Sequence, residues 1–243
     1  MKNIKALTKS EVSGYIVSPA AYVFIIIFLL LSGFFTFSFS QFFKAGEASL
    51  QGFFLWHPWL YLFLVPAAGM HLWSDERRQG TIELLFTMPV TTAECIISKF
   101  IAAWGFIGIA LIATFPILIT VEYLGDPDWG AIISGYIGSF LLAGSYLAIS
   151  CFTSAITRSQ VVSFIVSMVI CLFLILAGYP PVTDMFVNWA SSGVVEFISS
   201  FSVMTHFMSI QRGVIDLQDI SYYFSVIVFF LFSTGLVLKN NRQ

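Results

Sequence analysis

The chain has 243 residues, of which 58% are hydrophobic and 17% aromatic, while only 10% carry a charge. Soluble domains carry a charge on about 25% of their residues and need polar groups to cover their exterior. The composition therefore excludes a water-soluble globular fold, and the net charge of −2 gives no sign of a nucleic-acid-binding surface.

The first stretch of the chain, residues 1–18, predicts a short amphipathic helix. Lys5 and Lys9 alternate there with apolar residues such as Leu7 and Val12. This pattern is typical of a helix that lies on a membrane surface with its lysines towards anionic headgroups. A frayed basic tail is the alternative interpretation.

Six stretches are long and apolar enough to cross the membrane as helices, which takes about 20 residues each. They cover residues 21–40, 57–74, 100–121, 131–153, 161–178 and 221–238. The first follows several lysines, as a signal peptide does, but its apolar run is long and no small-residue cleavage site follows it. We therefore expect an all-α integral membrane protein with one transmembrane domain over residues 1–243.

The lysines and arginines predict which side of the membrane each connection occupies. An even number of spans places both termini on the same side. With the termini inside, nine of the eleven basic residues are cytoplasmic, and only Lys44 and Arg212 lie outside. The inner side then carries a net charge of +4 and the outer side −6. Both termini are therefore predicted to be cytoplasmic.

The longest cytoplasmic connection joins the second and third predicted spans. Gly80 permits a break in the backbone, and Pro89 disfavours helical geometry at the residue before it, so a short helix is expected over 81–87. Thr91 and Glu94 have the spacing of a capping box, which predicts a new helix that continues into the third span. Without relatives, this loop is either a solvated connection or a docking surface.

The last two connections differ in length. The short turn at 157–160 predicts that the fourth and fifth spans are antiparallel neighbours. Residues 179–220 form an outer segment of 42 residues, too long for a simple turn. Apolar residues recur there at helical spacing between Val194 and Met208, which predicts an amphipathic helix at the outer membrane surface.

The loop between the second and third spans resembles the signature of the ABC-2 family of transporter permeases. The matching residues are Glu76, Gly80-Thr81, Glu83-Leu84-Leu85, Pro89 and Lys99. In that family the loop forms a coupling helix, which inserts into a cleft on a cytoplasmic ATPase subunit. The resemblance implies the following contact residues for the ATPase: Glu76, Arg77, Arg78, Gly80, Thr81, Glu83, Leu84, Leu85 and Phe86.

Three shorter stretches resemble the gliding-motility-associated permeases within that family. They are Ser18-Pro19, His57-Pro58-Trp59-Leu60 and the residues 211–216. Such a permease works with an ATPase and with a second membrane subunit that has a large extracytoplasmic domain. The resemblance implies a permease half in a bacterial inner membrane, two ATPase copies, a second and different permease half, and export as the direction.

No cofactor is expected in this chain. The sequence contains no G-x-x-x-x-G-K-[ST] phosphate loop, so it is not expected to hydrolyse ATP. The resemblance assigns Mg-ATP to the partner ATPase. The expected partners are therefore this ATPase, the second permease half and membrane lipid, without nucleic acid.

Three other functions compete with the permease interpretation. An ion-coupled transporter needs ionisable groups at mid-membrane, and the predicted spans contain no Asp, Lys or Arg. A metalloenzyme is disfavoured because His57 and His71 would lie about 21 Å apart on one helix. The three cysteines, Cys95, Cys151 and Cys171, lack the spacing of a metal site. A membrane scaffold that transports nothing stays open.

Overall fold

A computed structural model describes residues 2–40, 42, 49–81, 90–179, 181–182 and 199–240. Within these residues the chain forms helices and turns and contains no strand. The predicted all-α fold is therefore confirmed. Of the predicted coupling helix, residues 82–87 lie outside the described part of the chain.

The N-terminal part forms two consecutive helices, α1 (Lys2–Val17) and α2 (Pro19–Phe34), and α2 continues as a π-helical segment over Phe35–Phe39. Pro19 is the first residue of α2, where its missing N–H costs nothing and its fixed φ favours the helix. Helix α1 covers the stretch predicted to be amphipathic. Its position on a membrane surface stays a prediction.

The rest of the described chain forms nine further helices. They are α3 (Gln51–Leu55), α4 (His57–Gly69), α5 (His71–Gln79), α6 (Thr92–Ile112), α7 (Pro116–Leu124), α8 (Trp129–Ile156), α9 (Gln160–Leu176), α10 (Val203–Gln211) and α11 (Leu217–Asn240).

Four helical stretches in the described residues are long and apolar enough to cross a membrane. They are Pro19–Phe39, Thr92–Leu124, Trp129–Ile156 and Leu217–Asn240, with 21, 33, 28 and 24 residues. Helix α9 is apolar but has only 17 residues. The second predicted span, 57–74, is divided between α4 and α5. A multi-pass membrane protein is therefore supported, while the count of six spans stays a prediction.

Prolines accompany both breaks in the predicted spans. Pro66 lies inside α4 and has no N–H to donate to the preceding turn, and the helix ends three residues later at Gly69. The chain turns at Met70 before α5 begins. The third predicted span is similarly broken after α6, and α7 starts at Pro116. These breaks change the direction that each helix can take through the bundle.

Helix α8 lies at the centre of the bundle and packs against α4, α6, α9, α10 and α11. Small residues permit this, because they let neighbouring helices approach closely. A Cβ atom at Gly135 would lie 2.4 Å from the Phe54 ring, and one at Gly144 would lie 2.8 Å from the ring of Trp104. The centre of the domain is thus a glycine- and serine-rich helix with aromatic side chains pressed against it.

Part of the outer amphipathic helix predicted between Val194 and Met208 corresponds to α10. Residues 194–198 lie outside the described part of the chain. In α10 the apolar side chains Phe207 and Ile210 are fully buried, and they lie over Gly138 of α8. Of the predicted stripe itself, Met204 is buried while Phe201 is 52% exposed, so the described portion packs against protein only in part.

Candidate functional site

One lysine joins three helices at the end of the bundle where α5 ends and α6 begins. The Nζ atom of Lys99 lies 2.8 Å from Oε1 of Glu76 and 3.2 Å from Oε1 of Glu11. The Lys99 side chain is only 11% exposed, and its ammonium group also lies 5.4 Å from the centre of the Trp73 ring. These three charged residues, Lys99, Glu76 and Glu11, are called the Lys99 cluster below.

Through this cluster, α1 is fixed to α6. The two helices pack along each other. The Ser98 hydroxyl, which donates to the Glu94 carbonyl of its own helix at 2.6 Å, lies 3.4 Å from the Ile4 carbonyl oxygen. Further along, the rings of Tyr15 and Phe106 stack with their centres 5.1 Å apart. An ion pair and a stacked ring pair thus hold the N-terminal helix against α6.

A buried hydroxyl of α8 anchors the start of helix α5. Ser154 Oγ accepts hydrogen bonds from the backbone N–H groups of Trp73 and Ser74, at 2.9 and 3.0 Å, and donates one to the Met70 carbonyl at 2.8 Å. Helix α5 begins there without a side-chain cap, so its first N–H groups lack partners in the preceding turn. The hydroxyl satisfies them, and the indole N–H of Trp73 points to Cys151.

The predicted contact residues that precede 82–89 do not share one environment. Glu76 faces inward to Lys99, and the Arg77 guanidinium donates to the Ala155 carbonyl at the end of α8. Arg78 is solvent-facing, with 62% of its side chain exposed, and pairs with Asp75 at 3.4 Å. Of the three, only Arg78 is largely exposed, so meeting a large partner would break only its surface ion pair with Asp75.

The remaining predicted contact residues lie at the end of α5 or beyond it. Gly80 ends α5 with a positive φ of 71°, a conformation that glycine adopts without strain. The Thr81 N–H closes this turn by donating to the Glu76 carbonyl at 3.0 Å. The others lie outside the described residues: Glu83, Leu84, Leu85 and Phe86.

The capping box predicted at the start of α6 is present. The Thr91 hydroxyl accepts from the Glu94 N–H at 3.2 Å, and Oε2 of Glu94 accepts from the Thr91 N–H at 3.1 Å. Residues 82–89 therefore run between a closed helix end at Gly80 and a capped helix start at Thr92. Both flanks of the predicted coupling segment have defined positions.

The electrostatics of this end depend on the cluster and on two arginines. Burial, and then the charge of Arg158, lower the pKa of the Arg77 guanidinium from its usual value. Arginine remains charged regardless, so Arg77 keeps its hydrogen bond to Ala155 at any physiological pH. Two carboxylates share one ammonium group in the Lys99 cluster, and Oε2 of Glu76 is buried without a hydrogen-bond partner among the described residues.

Sequence reasoning singled out Lys99 as part of the signature but did not find its partners. It also missed Ser154, which is one of many serines in α8. The available signal was a lysine in the largely apolar sequence of α6, because such a charge needs a partner when it is buried. The sequence offered several carboxylates as that partner, and only the fold selects Glu76 and Glu11.

At the opposite end of the bundle, a buried polar pair joins α10 to α11. The His206 Nδ1 atom lies 2.6 Å from Oδ1 of Asp219, and its Nε2 atom lies 3.1 Å from the Ser200 carbonyl oxygen. The His206 ring also stacks on Tyr222 at 4.1 Å. Sequence reasoning did not find this pair, because its two residues are 13 positions apart and lie on different helices.

The histidines do not form a metal centre within the described residues. No group of three His, Cys, Asp or Glu side chains there is arranged to hold a metal ion. His57 is fully buried among aromatic rings, including those of Phe28, Phe53 and Tyr61. The three cysteines are buried and free.

A family model described as ABC-2 family transporter protein matches residues 6–238, which is nearly the whole chain. The chain belongs to the ABC-2 family. A search of the curated proteins found no similar sequence. Membership of the ABC-2 family identifies a membrane-transport component of an ABC transporter, one that is normally not catalytic itself and that associates with an ABC ATPase component.

Proposed function

We propose that this ABC-2 chain is one half of the permease of an ABC exporter, and that residues 76–86 are its contact with a separate ATPase. The Lys99 cluster is the observation that supports this. It ties α1, the end of α5 and the start of α6 together around the two flanks of residues 82–89. A displacement of that segment by a partner is therefore passed to three helices at once.

The cycle that we propose follows from two such halves and two ATPase subunits. The ATPases bind Mg-ATP, close on each other and push the coupling segments, and the membrane bundles rock between inward- and outward-open arrangements. In this chain the cluster transmits the push, while Leu84, Leu85 and Phe86 supply apolar contact area. On the gliding-motility resemblance, the second half is a different subunit with a large extracytoplasmic domain.

We propose six crossings with both termini in the cytoplasm of a bacterial inner membrane. The second crossing is made by α4 with the start of α5, and the third by α6 with α7. Helix α9 is about 25 Å long at ~1.5 Å per residue, and the hydrocarbon core is about 30 Å thick. The turns that flank α9 make up the difference, and the excess of basic residues on one side sets the orientation.

Cysteine labelling tests this topology. The three native cysteines are buried, so their background labelling is expected to be low. With a membrane-impermeant maleimide, Asp126→Cys should be labelled in intact cells and Ser159→Cys only after permeabilisation, because these exposed positions lie at opposite ends of α8. Labelling of Ser159→Cys in intact cells would contradict the proposed orientation.

Loss of ATPase binding in Leu85→Asp tests the contact itself. A carboxylate in a desolvated apolar contact is left unpaired, so we expect the affinity for the co-expressed ATPase to fall about tenfold, or about 1.4 kcal/mol. Co-purification at increasing salt concentrations shows whether the ATPase is retained. Binding measured on the purified complexes then gives the ratio of the two affinities. Arg78→Glu is expected to weaken binding less, since an exposed charge contributes only about 0–1 kcal/mol.

The matched control is Val214→Asp. Val214 is 60% exposed and lies in the connection between α10 and α11, at the other end of the bundle. The Val214→Asp substitution adds the same charge as Leu85→Asp but lies away from the proposed contact, so ATPase binding should be unchanged. Equal ATPase binding by Leu85→Asp, Arg78→Glu and the control would contradict the proposed coupling contact and favour a scaffold that transports nothing.

A further inference from the structure

An apolar groove opens on the outside of the bundle between α6 and α11. It has a volume of about 530 Å³, which is within the range of about 300–1,000 Å³ found for ligand sites. Its walls come from Ile96 and Ile97 of α6 and from Val228, Phe232 and Leu236 of α11. The groove belongs to neither of the sites described above.

The length of the groove matches one leaflet of a bilayer. Its α11 wall runs from Val228 to Lys239, a distance of about 16 Å at ~1.5 Å per residue. Half of the hydrocarbon core is about 15 Å thick. A linear apolar ligand lying along α11 would therefore reach from the membrane surface to the bilayer centre.

The polar groups of the groove are confined to one end. Lys239 lies on the last turn of α11 and Thr92 on the first turn of α6, and both side chains line the same mouth. Between this mouth and Val228 the wall is apolar. The groove therefore complements an amphipathic ligand that has one anionic end and a long hydrocarbon part.

We propose that this groove binds one anionic phospholipid of the leaflet at the Lys239 end, with an acyl chain along α11 and the headgroup phosphate at Lys239. Gly235 gives the groove its depth, because it has no side chain to fill the space in front of Ile96. A Cβ atom added at Gly235 would lie 3.6 Å from the Ile96 Cδ1 atom. Under the proposed orientation this is the cytoplasmic leaflet, which carries anionic lipids.

A lipid suits the groove better than a second protein subunit. The lining residues Phe232 and Val228 are 66% and 63% exposed. The charge at its mouth is a single lysine at headgroup depth, and no acidic residue lines the groove among the described residues. Such a lysine complements a phosphate, and fluid acyl chains can cover the exposed apolar side chains that line the groove.

Native mass spectrometry of the purified full chain tests the proposal. The probes are phosphatidylglycerol and phosphatidylcholine with identical acyl chains, each added to delipidated protein in mild detergent. We expect one phosphatidylglycerol to be retained in preference to phosphatidylcholine. Lys239→Gln should reduce that preference about fivefold, since one basic residue near the surface contributes about that factor, and Lys239→Arg should keep it.

Filling the groove tests the acyl-chain part separately. Gly235→Leu should reduce retention of both lipids, because its side chain occupies the space beside Ile96. Gly105→Leu is the matched control: Gly105 lies on an exposed face of α6 with no atom within 4 Å of an added Cβ, and it does not line the groove. This control should retain lipid as the unchanged chain does. Gly235→Ala adds only an ordinary contact and reports whether position 235 tolerates substitution.

Three outcomes would overturn the proposal. They are equal retention of the two lipids, unchanged retention in Gly235→Leu, and loss of a protein oligomer in Gly235→Leu, since that loss would mean that a subunit covers the groove. The assignment of the groove to the cytoplasmic leaflet rests on the proposed orientation, but the binding measurement does not depend on that orientation. If the lipid measurements contradict the groove proposal while Leu85→Asp still loses ATPase binding, the proposed function stands and only the lipid site is wrong.

Discussion

The Gly69→Val substitution is expected to destabilise the protein by about 3 kcal/mol, at the upper end of the cost of overpacking. Gly69 is the last residue of α4, where that helix crosses α8. A Cβ atom there would lie 2.5 Å from the Cβ of Ser150 and 3.3 Å from a methyl group of Leu147. Both neighbours are fully buried, and a Cβ atom cannot rotate away, so the helix backbones have to separate.

The effect is measured as a shift in the thermal unfolding midpoint of detergent-solubilised protein. A loss of 3 kcal/mol corresponds to about 6–12 °C for a chain of this size. Gly69→Ala should give a smaller shift in the same direction, because it adds only the Cβ atom. Gly105→Val is the control, since nothing lies within 4 Å of an added Cβ at that position. Equal midpoints for Gly69→Val and Gly105→Val would contradict the close crossing of α4 and α8.

The Lys99→Met substitution is expected to cost about 2–3 kcal/mol, because it leaves two partly buried carboxylates without their cation. The apolar length of the side chain is kept, so packing loss contributes little. Glu76 and Glu11 then face each other across the vacated ammonium position with 24% and 35% of their side chains exposed. Their mutual repulsion should loosen α1 from α6 and α5.

The same unfolding measurement checks this substitution, with an expected decrease of about 4–12 °C. Lys9→Met on the exposed side of α1 is the control and should change stability by less than about 0.5 kcal/mol. Adding Glu11→Gln and Glu76→Gln to Lys99→Met should restore most of the loss, since removing all the charges leaves none unpaired. A triple variant as unstable as Lys99→Met alone would show that the ion pairs are not the cause.

Both predictions depend on contacts between distant parts of the chain, and sequence reasoning did not find either one. The sequence presents Gly69 as one of 17 glycines, and only the packing against Ser150 distinguishes it from Gly105. Similarly, Lys99 is recognisable from the sequence as part of the ABC-2 signature, but its two partners come from α1 and α5. A pairing of this kind is decided by which helices meet, which a local pattern does not encode.

The local features were predicted more fully. The capping box of Thr91 and Glu94 requires only residues within one helical turn, and it is present. The short turn at 157–160 joins two neighbouring helices, α8 and α9, as expected. The prolines at 66 and 116 were readable from the sequence as helix breakers, yet the spans were predicted as continuous because their apolar length dominated the interpretation.

By itself, the sequence determined that this protein is helical, crosses a membrane and resembles the ABC-2 transporters, because these depend on composition, apolar length and a short motif. The tertiary structure alone decided that Glu76 faces inward to Lys99, that Arg77 caps α8, and that Arg78 faces solvent. It also decided where α6 and α11 leave a groove ending at Lys239. Charge and packing contacts act over a few ångströms in space, and residues far apart in the chain come within that distance only when the helices assemble.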